Sequence, residues 1–258
     1  MGHVIPSVER RRYHICKYDE LRCKFGQLGI DVIGIEEASI KEIQKTYNQI
    51  QLLMTEHEEL PKGFLNCIRF GEFDDLIERD ILGTNSCGVC GTVVPYVENG
   101  KISITMFINT EKFRSVEIQK RRELSIKCGP GEYIESTVSH EFGHILEYYL
   151  LCRLHKWDEV CPELSIVNGY MATFEDRNCN ITSDFVEITE FCVESLKELG
   201  YTEKFRILDN ACNYLGTYAG YTYIECFAEA FSQYYTSNHP TILSEKIINK
   251  YKKFINKL

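Results

Sequence analysis

The sequence lacks a long apolar run, since no stretch approaches the about 18 consecutive apolar residues that a membrane-spanning helix needs. It also lacks a basic surplus, because 29 Lys and Arg stand against 38 Asp and Glu and give a net charge of -9. Nucleic-acid binding needs basic side chains that displace phosphate counterions. We therefore expect neither a membrane nor a nucleic acid as a partner.

The first residues, MGHVIPSVERRRYHICKYDE, contain no apolar export segment. We therefore expect a cytoplasmic protein, with delivery by a leaderless or phage-related route as the alternative. The 12 cysteines are scattered over the chain, which favours reduced thiols over a disulfide framework. Cys87 and Cys90 form the single C-x-x-C, and we interpret it as a turn that leads into a strand, with a redox pair as the alternative.

Internal repeats, low-complexity tracts and long linkers rich in Pro, Gly or Ser are absent as well. At 258 residues and 44% hydrophobic content, the chain is long enough to bury a sizeable core. The composition thus predicts a folded chain with one main domain, and it carries no indication of the oligomeric state.

Hydrophobic periodicity predicts an α+β fold. Apolar residues at spacings of three and four predict a helix from Glu36 to about Glu59, which Pro61 ends. Segments rich in Val, Ile, Phe and Tyr predict strands over 64–73 and 90–109, with Glu98-Asn99-Gly100 as a hairpin turn. We expect a small, mostly antiparallel sheet. Further helices are predicted over 111–127, 133–155, 185–199, 207–215, 224–236 and from 241 to the end.

The pentad His140-Glu141-Phe142-Gly143-His144 has the H-E-x-x-H pattern and lies within a predicted helix. Residues four apart share one face of a helix, so both imidazoles can reach a single metal ion. Glu141 then projects beside the metal and can act as a general base toward an activated water. The motif predicts a zinc hydrolase, most simply a metallopeptidase that acts on a peptide or protein substrate.

A catalytic zinc site needs a third protein ligand, with water in the remaining position. The extended H-E-x-x-H-x-x-G-x-x-H pattern does not apply, because Glu147 replaces its Gly and Leu150 its last His. Glu159 and Glu163 are alternatives, but both lie beside Pro162 in a weakly helical segment.

A better third ligand lies in the string Glu225-Cys226-Phe227-Ala228-Glu229-Ala230-Phe231. Its two carboxylates are four residues apart and share one helical face among apolar neighbours, where an unpaired acid would be costly to bury. Glu225 can ligate the metal, and Glu229 can accept a hydrogen bond from a ligating imidazole and so support the site.

Together, the H-E-x-x-H pentad and the E-C-F-A-E-A-F string resemble the catalytic domain of anthrax lethal factor and its zincin relatives, metallopeptidases of the gluzincin type. The resemblance implies a zincin-like fold with an active-site helix and Zn2+ held by His140, His144 and Glu225. It further implies that Glu229 supports the site and that Tyr218 stabilises the transition state.

The long separation of His144 from Glu225 departs from the family's pattern, so we expect an insertion at about 157-200. We accordingly divide the chain into a helical N-terminal extension over 1-62 and a zincin-like catalytic domain over 63-258. The expected activity is that of a zinc metalloendopeptidase with Glu141 as the general base. The alternative is a catalytically silent zincin-like protein with a structural or assembly role in a phage or mobile element.

Other polar residues are assigned no chemistry. Glu147 and Tyr148 follow the pentad and could line the cleft, but core or solvent is the preferred interpretation. The remaining histidines show no paired spacing and are expected at the surface or beside loops: His3, His14, His57, His155 and His239.

Overall fold

A mixed four-stranded sheet is the main β element of the fold in the computed structural model of the chain. The structure describes residues 7–72, 90–98, 101–110, 133–154, 166–167, 170–171, 186–202 and 207–258. Within them, the strands of this sheet are β1 (Asp31–Ile33), β2 (Leu65–Gly71), β3 (Gly91–Glu98) and β4 (Lys101–Asn109). Their order in the sheet is β1-β2-β4-β3.

The strand pairings show that the prediction of a mostly antiparallel sheet is wrong. β1 and β2 are parallel, β2 and β4 are parallel, and β3 and β4 are antiparallel. Helix α2 (Ile40–Glu56) connects β1 to β2, and such a crossover lets two neighbouring strands run in one direction. The β3–β4 pair is the predicted hairpin, in which Glu98 pairs with Lys101. Its turn residues 99–100 lie outside the described residues.

Seven α-helices occur in the part of the chain that the structure describes, and with the sheet they confirm the α+β class. The predicted helices are confirmed where they are described, except the one predicted over 207–215, of which Leu208–Ala211 is a 3-10 helix and only Cys212–Leu215 is an α-helix. The helix predicted over 111–127 lies outside the described residues. None of the described helices has the length and apolar character to cross a membrane. Besides α2 they are α1 (Ser7–Gln27), α3 (Tyr133–Arg153), α4 (Val186–Glu198), α5 (Cys212–Leu215), α6 (Tyr223–Thr236) and α7 (Ile242–Ile255).

The segments predicted as an extension and an insertion both contribute to the packed structure. β1 pairs with β2, and α2 packs on α3, where Nε2 of Gln49 donates to Oγ of Ser139 at 2.8 Å. α4 packs on α6 and α7. Between residues 157 and 183, the described part consists of the short paired strands β5 (Ile166–Val167) and β6 (Tyr170–Met171). The domain boundaries themselves stay predictions.

The contact between α3 and α6 is the most extensive contact between two described helices. A Cβ atom on Gly143 would lie 3.0 Å from Cα of Ala228, so a glycine is needed for the two backbones to approach this closely. Beside this point, Phe142 of α3 stacks on Phe231 of α6, with ring centroids 6.0 Å apart. The glycine and the small alanine thus set the distance between the two helices.

His57 lies in the turn that follows α2, beside a loop as expected, but it does not lie at the surface. It is buried at the end of α2, with Nδ1 2.9 Å from Oε1 of Glu59 and Nε2 2.9 Å from the hydroxyl oxygen of Tyr235. Its ring centroid lies 5.4 Å from that of Phe231. Spacing in the sequence cannot reveal this burial, because the partners on α6 are far along the chain. His239 is exposed, as expected.

We predict that Gly143→Ala destabilises the fold. The added methyl group would meet the backbone of Ala228 at 3.0 Å, and overpacking of this kind costs about 1 to 3 kcal/mol. Urea denaturation of the metal-free protein measures the free energy of unfolding. Gly26→Ala in α1 is the matched control, because no atom lies within 4 Å of its new Cβ. Both substitutions gain the helix preference of alanine over glycine, so equal changes in stability for Gly143→Ala and Gly26→Ala would contradict the packing argument.

Candidate metal centre

Three side chains from two distant parts of the chain converge where α3 meets α6. His140 and His144 lie one turn apart on α3, and their Nε2 atoms are 3.2 Å apart. Glu225 lies in the first turn of α6, with Oε2 3.2 Å from Nε2 of His140 and 3.7 Å from Nε2 of His144. Each residue thus offers a ligand atom within 4.8 Å of the other two, which is close enough for one metal ion.

The start of α6 places Glu225 toward α3. Thr222 is the N-cap residue, and its hydroxyl accepts a hydrogen bond from the backbone N–H of Glu225 at 3.1 Å. This cap satisfies an N–H that the first helical turn leaves without a carbonyl partner. The next two residues, Cys226 and Phe227, are fully buried, so the core fixes the rotation of the helix about its axis.

Each imidazole of the cluster has a carboxylate of its own on the far side of the ring. Nδ1 of His140 lies 3.2 Å from Oε1 of Glu229, and Nδ1 of His144 lies 2.8 Å from Oε2 of Glu147. Because an ionised carboxylate only accepts hydrogen bonds, we assign the donating proton to Nδ1 in both rings. In a neutral ring, Nε2 then presents a lone pair to the cluster.

The donor set fits a zinc ion. The two Nε2 lone pairs and Oε2 of Glu225 face one another across 3.2 to 3.7 Å. Oε2 of Glu225 is buried and has no hydrogen bond of good geometry to the described residues. With both rings neutral, such an arrangement of electron-pair donors is repulsive unless a metal ion or a proton lies between them. Two imidazole nitrogens and one carboxylate oxygen are the protein ligands of one class of catalytic zinc sites.

The electrostatics of the cluster favour bound positive charge. Burial alone would lower the pKa of His140, but Glu225 and Glu229 outweigh it and raise that pKa to about 10. Burial also opposes charge on His144, whereas Glu147 and Glu225 hold its pKa well above the ordinary value. The two imidazoles in turn keep the pKa of Glu225 low despite its burial. The cluster therefore stabilises positive charge, which protons or a metal ion can supply.

Glu141 lies beside the ligand group and is not part of it. Its side chain is buried against Gly91, where a Cβ atom would lie 2.8 Å from Cγ and 2.9 Å from Oε1 of Glu141. The missing side chain at the start of β3 thus makes room for the carboxylate. Burial raises the pKa of Glu141, although the nearby imidazoles oppose the rise. A carboxylate in these surroundings is a stronger base than an exposed glutamate.

Tyr218 reaches the cluster from a 3-10 turn, Thr217–Gly220. Its hydroxyl donates to Oε1 of Glu225 at 3.4 Å, and its ring centroid lies 5.8 Å from that of His140. Burial and the neighbouring carboxylates raise the pKa of Tyr218, so the hydroxyl keeps its proton and stays a donor. At 41% exposure, the residue lies at the boundary between the cluster and solvent.

The structure brings together every residue that the sequence analysis assigns to the site, and it adds Glu147. This carboxylate is buried in the core, one of the two places expected for it, and its contact with His144 gives it a role in the site. The contact with His144 could have been predicted from their spacing of three residues, because residues three apart share one face of a helix. Glu159, Glu163 and Cys87 lie outside the described residues.

We compared the chain with protein-family models, with curated proteins and with solved structures, and none of them matches it. The chemistry of the site therefore rests on its own geometry. The resemblance to the lethal factor catalytic domain stays a prediction from two motifs.

We predict that the parent protein binds a single zinc ion and that His144→Ala and Glu225→Ala each remove one of its ligands. Loss of an outer contact alone weakens zinc binding about 10- to 100-fold, so loss of a ligand should exceed that range. Competition with a chromogenic chelator measures the zinc Kd, and His239→Ala, at an exposed position, is the control. Zinc binding by Glu225→Ala that equals the parent's would exclude Glu225 as the third ligand.

Proposed function

We propose that the protein is a zinc metalloendopeptidase of the gluzincin type, with a zincin-like site that hydrolyses bonds in a peptide or protein substrate. The convergence of His140, His144 and Glu225 beside the buried Glu141 is the observation that carries the proposal. Structural zinc sites are closed by four protein ligands, whereas catalytic sites keep three and leave one position open. Among the described residues, three side chains, those of His140, His144 and Glu225, offer ligand atoms to one metal ion, which is the number found in catalytic sites.

A zinc ion held by these three ligands would activate a water molecule and polarise the substrate carbonyl. Glu229 supports this arrangement, because its carboxylate accepts the Nδ1 proton of His140 and so orients the ring. Solvent reaches the site on the side where Tyr218 lies, because this residue is partly exposed. Tyr221 is 71% exposed there, and its ring centroid lies 5.3 Å from that of Tyr218.

Glu141 is the general base of the proposed mechanism. Its carboxylate accepts a proton from the attacking water, and its raised pKa suits a base that must hold a proton near neutral pH. It then delivers the proton to the amine nitrogen of the leaving fragment, which returns the carboxylate to its starting state. Gly91 lies directly against the side chain and closes one side of the space around it.

Tyr218 is suited to stabilise the negative charge that develops on the carbonyl oxygen. Its 3.4 Å hydrogen bond to Glu225 is long and therefore weak, so the hydroxyl can exchange this acceptor for an oxyanion. Because the pKa of Tyr218 is raised, the hydroxyl keeps the proton that it donates at neutral pH. A donor aimed at the developing charge stabilises the transition state more than the ground state.

We predict that Glu141→Gln retains zinc and loses peptide cleavage. The amide cannot accept the proton of the attacking water, and the loss of a general base lowers turnover about 10²- to 10⁴-fold. Cleavage of a fluorogenic peptide library, together with the zinc Kd, measures both properties. Glu58→Gln, at an exposed position, is the matched control. Parent-like turnover in Glu141→Gln would disprove its role, and zinc binding by the parent without cleavage would favour the silent structural alternative.

We predict that Tyr218→Phe lowers kcat about 10²- to 10³-fold, as expected for the removal of one oxyanion donor. The zinc Kd should change little, since the substitution removes no ligand and the 3.4 Å hydrogen bond from the hydroxyl to Glu225 is weak. Steady-state kinetics on the peptide that the parent cleaves best gives kcat and KM separately. The neighbouring Tyr221→Phe is the control. Equal kcat values for the two variants would show that Tyr218 has no special part in the reaction.

A further inference from the structure

Glu147 is buried next to the His144 ring, on the side opposite the proposed metal. Its Oε2 lies 2.8 Å from Nδ1 of His144, and its side chain is 2% exposed. The other oxygen, Oε1, is buried and has no hydrogen bond to any residue that the structure describes. The carboxylate is thus held in place by the imidazole.

Packing does not account for a carboxylate at this position. A buried charge with one oxygen left without a donor costs stability, and an apolar side chain of similar size would fill the same space at lower cost. Cys192, on α4, is fully buried and near enough to feel the charge of Glu147. A thiol is only a weak donor, so these surroundings add little that compensates for the burial of the carboxylate.

We propose that Glu147 is a positioning residue that holds the His144 ring with its Nε2 toward the metal. Its carboxylate accepts the Nδ1 proton, which disfavours the tautomer with the proton on Nε2 and restrains rotation of the ring. The inference rests on the proposed zinc site and extends it. Each ligating imidazole then has a dedicated carboxylate, Glu229 for His140 and Glu147 for His144.

The two carboxylates differ in what can replace them. The Glu229 side chain is 23% exposed, so water can take its place beside Nδ1 of His140. The 2% exposure of Glu147 leaves no such access, and its removal would bury the N–H of His144 without an acceptor. Zinc affinity should therefore depend more strongly on Glu147 than on Glu229.

The test compares Glu147→Leu and Glu147→Gln with the matched variants Glu229→Leu and Glu229→Gln. Leucine keeps the bulk and removes the acceptor, whereas glutamine keeps an acceptor oxygen and removes the charge. We expect Glu147→Leu to weaken the zinc Kd about 10- to 100-fold, with a smaller loss for Glu147→Gln. Each loss should exceed that of the matched variant at Glu229. Chelator competition gives the Kd, and thermal unfolding of the metal-free variants shows that they fold.

A second readout does not need zinc. In the metal-free parent, the hydrogen-bonded Nδ1–H of His144 should give a downfield, slowly exchanging proton resonance in NMR spectra, and Glu147→Leu should lose it. If the parent shows this resonance but binds no zinc, the proposed function fails while the contact stands. Unchanged zinc affinity in the Glu147 variants, or a resonance that persists in Glu147→Leu, would overturn the inference. If Glu147→Leu does not fold, Glu147→Gln decides by its zinc affinity.

Discussion

The close contact of α3 with α6 is the constraint on which the rest of the structure depends. At this contact the backbone of one helix lies against the other, because Gly143 has no side chain to hold Ala228 away. Next to Gly143, the stacked rings of Phe142 and Phe231 join the same two helices. At this separation, the carboxylate of Glu225 in the first turn of α6 reaches two imidazoles one turn apart on α3.

The contact also concentrates charge in a buried place, which proteins avoid unless the charges are paired. Each Nδ1 faces a carboxylate. Two buried oxygens of the cluster have no hydrogen bond to the described residues: Oε1 of Glu147, and Oε2 of Glu225 where it faces the two Nε2 atoms. Apolar residues would pack there at lower cost. The arrangement fits the proposed zinc ion and the roles that we propose for Glu141 and Tyr218 beside it.

Patterns that follow from local geometry were predictable from the sequence. The spacing of His140 and His144 determines a shared helix face, and the acids among the apolar residues of α6 indicate a buried polar partner. Long-range arrangements were not predictable in this way. The parallel pairing of β1 with β2 depends on a crossover, and the burial of His57 depends on Tyr235 of a distant helix. The spacing of Glu147 from His144 allows a contact to be predicted, but the burial of Glu147 depends on how the helices pack.

X-ray absorption spectroscopy at the zinc edge of the zinc-loaded protein is the most direct test of the central claim that two imidazoles and Glu225 hold one metal ion. The account predicts only nitrogen and oxygen neighbours at about 2.0 to 2.2 Å, together with the outer scattering of two imidazole rings. The chain has 12 cysteines, which offer a different kind of ligand. A sulfur neighbour at about 2.3 Å, or the absence of imidazole scattering, would contradict the account.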